Sequence, residues 1–210
     1  MTLSIIGAGN VGLALARNLI DKGESVSFGV PDPAKYAAAV AALGAKAQVG
    51  TVAQAVAAAD LVILAVPYNA ARQVAESVAD WNGKVLVDAT NPLAPALAGL
   101  ALGTTTSGAE QIAGWARGAR VVKAFNTTGA ENMADPRYPG GAVFMPVAGD
   151  DADARARVVA LATRMGFDAV DAGPLAAARY LEPFAMTWIH LALKRGLGRD
   201  FAFVRQHRRG

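Results

Sequence analysis

The sequence predicts a doubly wound α/β fold, a mostly parallel sheet between layers of helix. Three observations carry that prediction. Short apolar runs of strand length recur along the 210 residues, with helical patterns between them. The clearest run, Leu61-Val62-Ile63-Leu64-Ala65-Val66, is apolar at every position, as a strand covered on both faces requires. Three successive runs end in turns of polar residues and proline: Pro67-Tyr68-Asn69, Ala89-Thr90-Asn91-Pro92-Leu93 and Asn126-Thr127-Thr128. Strands alternating with helices build a parallel sheet, and ligands bind at the carboxyl ends of its strands.

The first strand begins at Leu3 and breaks at Gly7-Ala8-Gly9-Asn10-Val11-Gly12, which fits G-x-G-x-x-G. Leu13, Ala16, Leu19 and Ile20 then recur at helical spacing up to Asp21-Lys22-Gly23. A strand before and a helix after the glycines make this the dinucleotide-binding fingerprint of a Rossmann-like fold. Gly7 serves the tight turn, Gly9 lets a pyrophosphate approach the backbone, and Gly12 allows the helix to pack on the strand. The helix N-terminus with its free amides then attracts the phosphates.

A second strand covers Ser25 to Phe28 and meets Gly29-Val30-Pro31-Asp32-Pro33, where such a fold holds the adenosine ribose. No acid stands at the strand end, which leaves room for a 2′-phosphate. Asp32 lies between two prolines, a position that suits a helix cap. Lys35 is placed to reach a phosphate. NADP and NAD both remain open, with the balance toward NADP.

Helices are expected over Pro33 to Leu43, Thr51 to Ala59 and Ala70 to Ala79, with Thr51 as a cap. Further strands follow at Lys84 to Asp88, Arg120 to Phe125 and Val143 to Ala148. Pro146 argues for an edge or a bulge in the last of these. A helix is expected over Gly108 to Ala116, after the hydroxyl run Thr104 to Ser107. The loop Asp135 to Gly141 is a candidate cover for the site. Asp150-Asp151 starts another helix, and Asp168 to Asp171 is a last short strand. Leu175 to Gly196 reads as a long helix bent or interrupted at Pro183. Its Leu181, Phe184, Trp188 and Leu191 form an apolar stripe, read as core-facing, with an apolar wall or dimer seam as the alternative. The length suits one domain over 1–210, with 174–210 as a helical extension and basic tail.

Composition excludes several classes. The apolar fraction of 53% is ample for a core, and the absence of cysteine removes disulfides and thiolate metal sites. No apolar run approaches the length that spans a bilayer. The chain opens in its first strand, leaving no room for a signal peptide, so a cytoplasmic protein is expected. The net charge of +3 is concentrated at one end: six of the 20 basic residues lie at Lys194, Arg195, Arg199, Arg205, Arg208 and Arg209. The remaining body is mildly acidic, which argues against a nucleic-acid face. The tail is read as a solvated, frayed end, with a patch that attracts an anionic substrate or packs in a dimer as the alternative.

The supply of reactive side chains is small. His190 and His207 are the two histidines, with no metal spacing and no nucleophile elbow. No catalytic side chain and no metal ligand is assigned. Lys123, at a strand end, is a possible acid for dehydrogenation, though such a lysine more often faces solvent. Hydride transfer between two rings fits this shortage, because the rings carry the chemistry and the protein orients them. Reduction of a small ketone or imine, and nucleotide sensing without turnover, are the alternatives.

Leu64-Ala65-Val66-Pro67, Asn91-Pro92-Leu93, Val122-Lys123-Ala124-Phe125-Asn126-Thr127, Ala148-Gly149-Asp150-Asp151 and Asp171-Ala172-Gly173-Pro174-Leu175 occur in the order found in one family. With them the chain resembles the coenzyme F420-dependent NADP oxidoreductases. It is also similar to the reductase domain of the STEAP-type metalloreductases. The resemblance implies NADP on Gly7 to Gly12 and a nicotinamide half bordered by Ala65, Val66, Pro67, Asn91 and Pro92. It places Phe125 and Asn126 near the ring pair and the Asp171 to Leu175 turn over the second substrate, which would be F420, FMN or FAD. It also implies a homodimer built on the C-terminal helices. Where the family carries a phosphate-gripping pair after the second strand, this chain has Val30 and Pro31. That change predicts weakened discrimination between NADP and NAD.

Overall fold

A computed structural model describes residues 3–208. The chain runs β1 (Leu3–Ile6), α1 (Asn10–Asp21), β2 (Val26–Gly29), α2 (Pro33–Ala41), β3 (Ala47–Gly50), α3 (Val52–Ala58), β4 (Leu61–Leu64) and α4 (Tyr68–Ser77). It continues through β5 (Val85–Asp88), α5 (Gly108–Trp115), β6 (Arg120–Lys123), α6 (Ala130–Ala134), β7 (Arg137–Tyr138), β8 (Gly141–Ala142) and β9 (Phe144–Gly149). The last elements are α7 (Ala152–Met165), β10 (Asp168–Asp171) and α8 (Ala178–Ile189), which runs into a π-helical turn at His190–Lys194.

Eight strands form one sheet in the order β10-β9-β6-β5-β4-β1-β2-β3. Every pairing is parallel except β6 with β9. The chain builds outward from β1 to β3, then returns to the other side of β1 with β4. The fold is therefore the doubly wound, Rossmann-like class expected, and its strand order reverses between β1 and β4. That reversal parts the two following loops and opens a crevice at the carboxyl ends. The central strands β1, β4 and β5 are buried along their whole length, which accounts for their unbroken apolar runs. One core cluster around Leu15, Phe28, Val122 and Met165 covers one face, and a second around Trp81, Leu86 and Ile112 covers the other.

The caps follow local chemistry. The Asp32 carboxylate accepts from the amides of Ala34 and Lys35 and starts α2. Thr51 and Gln54 form a reciprocal capping box at α3. Ser107 and Asp151 cap α5 and α7.

Four expectations change. Pro146 lies in an interior strand, but β9 pairs with β6 only at Ala148 and Gly149. The ladder on that flank stops short of the proline, which has no amide to give it. Pro183 does not break α8; the helix continues through it, and the Thr187 hydroxyl donates to the Pro183 carbonyl. The loop from Asp135 forms the hairpin β7–β8 beside Val204 and Gln206, and it lines neither cleft described below. The basic tail is anchored as far as Gln206 rather than frayed. The Phe203 carbonyl accepts from the Phe144 amide, Phe201 stacks on Trp188, and Arg205 pairs with Asp168. Aromatic residues at 201 and 203 anchor it; Arg209 lies outside the described residues.

Candidate functional site: two clefts that meet at the glycine turn

Two clefts open on the carboxyl side of the sheet. The first, of about 880 Å³, lies over the ends of β1 and β2 and between α3 and α4. The second, of about 860 Å³, lies over the ends of β4, β5 and β6 and is walled by the C-terminal segment of α8. Gly9, Ala65, Val66 and Pro67 line both, so they form the ridge where the clefts join.

The glycines divide their work as the motif requires. Gly7 has φ +105°, and a Cβ there would lie 2.5 Å from the Ala65 carbonyl oxygen. A Cβ on Gly12 would run into the Gly7 carbonyl oxygen, so this glycine keeps α1 against the turn. Gly9 is different: a Cβ on it would meet no protein atom within 4 Å. Its missing side chain leaves open space at the N-terminus of α1 and relieves no packing conflict, which is the cradle a pyrophosphate needs. Gly29 lines the first cleft, but a Cβ there would press on Ala55 at 2.8 Å, so it also serves the packing of α3.

The sequence-derived residues separate clearly. Gly7, Ala8, Gly9 and Gly29 line the first cleft, and Gly9, Asn10, Val11, Asn91 and Asn126 line the second. Lys35, Pro92 and Phe125 line neither. Lys35 is exposed, with its ammonium 5.6 Å from the Tyr36 ring centroid. Pro92 packs toward Gly108. Phe125 corrects the expectation that its side chain lies near a ring pair: it is 0% exposed and meets Phe167 at 5.8 Å in the core. Its φ of +67° turns the chain so that the ring goes inward while Asn126 reaches the cleft. Leu175 is likewise buried in the core and lines neither cleft.

Asn91 and Asn126 hold each other. The Asn91 amide donates to the Asn126 carbonyl at 2.9 Å, and the Asn126 amide donates to Asn91 Oδ1 at 3.0 Å and to the Leu181 carbonyl at 3.3 Å. The Oδ1 of Asn126 and the hydroxyl of Thr90 are buried without a hydrogen-bond partner.

Lys123 corrects both readings of it. It is neither an exposed lysine nor an acid facing a substrate; it is 0% exposed beneath the second cleft. Its ammonium donates to Asp88 Oδ2 at 2.8 Å and to the Thr90 carbonyl at 2.7 Å, and lies 2.9 Å from Glu182 Oε1. Asp88 Oδ1 accepts from the Thr90 amide at 2.8 Å. The Glu182 carboxylate accepts from the Gly108 and Ala109 amides at the start of α5. Burial pushes the lysine toward neutrality, but the two carboxylates more than offset it, and its pKa is raised. Tyr68 lines the cleft nearby. Burial first, and then the charges of Glu182 and Asp88, push its pKa up to about 12.

Sequence reading missed Tyr36 in the first cleft; Tyr68 and Thr128 in the second were named only as members of strand-end turns, and Arg199 only as part of the basic tail. It also missed the ion cluster. A signal existed: Glu182 interrupts an otherwise apolar face between Ala178, Leu181 and Ala185, and a charge on a buried helical face implies a partner. Trp188, one residue of the apolar stripe, lines the second cleft; Gly129 leaves room for its ring.

The chain matches known proteins along its length. The sequence model of the coenzyme F420-dependent NADP oxidoreductases matches residues 2–92. A crystal structure of a candidate F420-dependent NADP-reductase from Arthrobacter sp. FB24 is 32% identical, covers 98% of this chain and 100% of that one, and superposes with a TM-score of 0.84. A hypothetical protein of Sinorhizobium meliloti is 35% identical, with 85% and 88% of the two chains covered and a TM-score of 0.78. The metalloreductase STEAP3 of Rattus norvegicus is 33% identical over 184 residues, which are 86% of this chain and 35% of that protein. The chain thus spans about a third of the length of that curated relative.

Proposed function

Because the chain belongs to the coenzyme F420-dependent NADP oxidoreductase family, we propose that it passes hydride between NADP(H) and a deazaflavin or flavin acceptor, F420, FMN or FAD. The observation that carries the reading is the shared ridge. Two clefts, each large enough for half of a dinucleotide, meet at Gly9, whose side-chain position, unlike those of Gly7 and Gly12 in the same turn, opens on empty space. The adenosine half fits the first cleft, with Tyr36, Val30 and Pro31 at its end, and the nicotinamide half fits the second.

The nicotinamide supplies the hydride, so the reaction asks the protein for orientation and exclusion of water. Val66 and Pro67 support one side of the second cleft, and Trp188, Ile189 and Leu193 wall the other, leaving room for a second flat ring. The unpartnered oxygens of Thr90 and Asn126 suit a ligand that brings a hydrogen-bond donor, such as a primary amide.

No cation lines the Val30–Pro31 end of the first cleft, and Lys35 lies outside it. Discrimination between NADP and NAD is therefore weak. Titration of both nucleotides tests this: a ratio of Kd values below about tenfold is expected, corresponding to less than about 1.4 kcal/mol. Strong NADPH selectivity lost on Lys35→Ala would reverse that assignment. Among the described residues no helix is long and apolar enough to cross a membrane. Exposed Tyr180, Leu193 and Leu197 on the C-terminal segment favour a homodimer, which sedimentation would test.

Stopped-flow oxidation of NADPH in the presence of F420, FMN or FAD identifies the acceptor. Rapid single-turnover oxidation by one of them is expected. Tight nucleotide binding with no oxidation by any of the three would sink the reading in favour of a sensing module or a ketone or imine reductase.

A further inference from the structure

The hydrogen bonds around Lys123 assign a charge to each member of the buried cluster. The ammonium has three contacts and all are acceptors: Asp88 Oδ2, the Thr90 carbonyl and Glu182 Oε1. Every hydrogen-bonding contact of the two carboxylates is a donor: the Lys123 ammonium and the amides of Thr90, Gly108 and Ala109. Three donors all used describe a charged lysine, and carboxylates that only accept are ionised. One cation thus faces two anions, all three at most 1% exposed. The salt bridges of Asp88 and Glu182 both run to Lys123. The amides opening α5 offset part of the excess as partial charges. The neighbouring pair of Glu110 with Arg179 is neutral.

This excess sits directly under the second cleft. Lys123 and Asp88 grip the carbonyl and the amide of Thr90, a residue of the cleft wall. We propose that the surplus carboxylate charge of Asp88 and Glu182 over Lys123 is an electrostatic positioning device that biases the bound nucleotide toward its oxidised, cationic nicotinamide and so favours hydride release. The inference rests on the nicotinamide half occupying the second cleft. Hydride transfer turns a neutral dihydropyridine into a pyridinium; the two electrons and the hydrogen leave together for the acceptor, whose remaining proton comes from solvent. Negative charge fixed in a buried, poorly screened place stabilises that developing cation without reorganising. Tyr68, on the wall of the same cleft, has its pKa raised first by burial and then by the charges of Glu182 and Asp88.

The test compares affinities for oxidised and reduced nucleotide by calorimetry, so it does not depend on turnover. The native protein is expected to bind NADP⁺ at least as tightly as NADPH; a preference for NADPH above about tenfold would overturn the proposal. Glu182→Gln is expected to weaken NADP⁺ about five- to tenfold while leaving NADPH within about twofold. Should that variant not fold, Lys123→Met with Asp88→Leu and Glu182→Met removes the charges without stranding one, and the same selective loss is expected. Equal loss for both nucleotides would show that the cluster only holds the wall in place, and no change would show that its field does not reach the ring. Failure to bind either nucleotide in the native protein would sink the nucleotide assignment itself, a result distinct from equal affinities.

Discussion

The first cleft and the second are close in volume and share a ridge, but they are built by opposite means. The first is made by leaving atoms out. Its floor is Gly7, Ala8 and Gly9, contiguous in the chain, with alanines and valines of α3 completing the wall. The second is made by bringing side chains in, from the ends of three strands, from α6 and from α8. Beneath it a lysine and two carboxylates meet from β5, β6 and α8. A cradle formed by backbone fails when an atom is added, whereas a wall held by ion pairs fails when an atom is removed. The two regions therefore respond to different kinds of substitution.

The largest effect should come from emptying the second region. Lys123→Met leaves two ionised carboxylates buried without their cation and should cost about 3–5 kcal/mol of stability, measured by urea unfolding. Adding an atom to the first region at Gly12 comes next. Gly12→Ala forces a Cβ onto the Gly7 carbonyl, and a loss of about 2–4 kcal/mol is expected, visible as a melting temperature lower by roughly 5–15 °C. Gly9→Ala sharpens the contrast, because its Cβ meets no protein atom. The fold should be unaffected while nucleotide affinity drops by about tenfold, or about 1.4 kcal/mol. Equal destabilisation by both glycine substitutions would remove the distinction between packing and cradle.

The smallest effect concerns the clasp that joins α5 to α8 above the cluster. Hydrogen bonds from Arg179 hold the Glu110 carboxyl below its ordinary 4.5. A carboxylate depressed in the folded state contributes stability that is complete above its unfolded value. That contribution is lost as the pH falls through the folded value. Acid unfolding of Glu110→Gln should thus lose about 0.5 kcal/mol less than the native protein between pH 5 and the acid limit, about the scale of a half-exposed pair.

Legibility in the sequence followed the same division. The first cleft was readable because its requirements are local. A turn at φ +105°, a helix start and an open approach all fall within six consecutive residues, and glycine is the residue that meets them. The second cleft was readable only where a turn follows a strand, as at Asn91 and Asn126. Phe125 was misplaced because a strand-end aromatic can turn either way, and its positive φ is decided by packing on Phe167 and the sulfur of Met145.

The amino-acid pattern alone determined the class of fold, the glycine turn, most helix caps and the succession of strands and helices apart from α6 and the β7–β8 hairpin, since each depends on neighbours a few residues apart. Tertiary structure decided what the distant charges do. Asp88, Lys123 and Glu182 are separated by 35 and 59 positions, and nothing in one segment specifies the others. Only when β5, β6 and α8 converge does water leave them, and a lysine that reads as a solvent-facing side chain becomes the centre of a buried ion cluster.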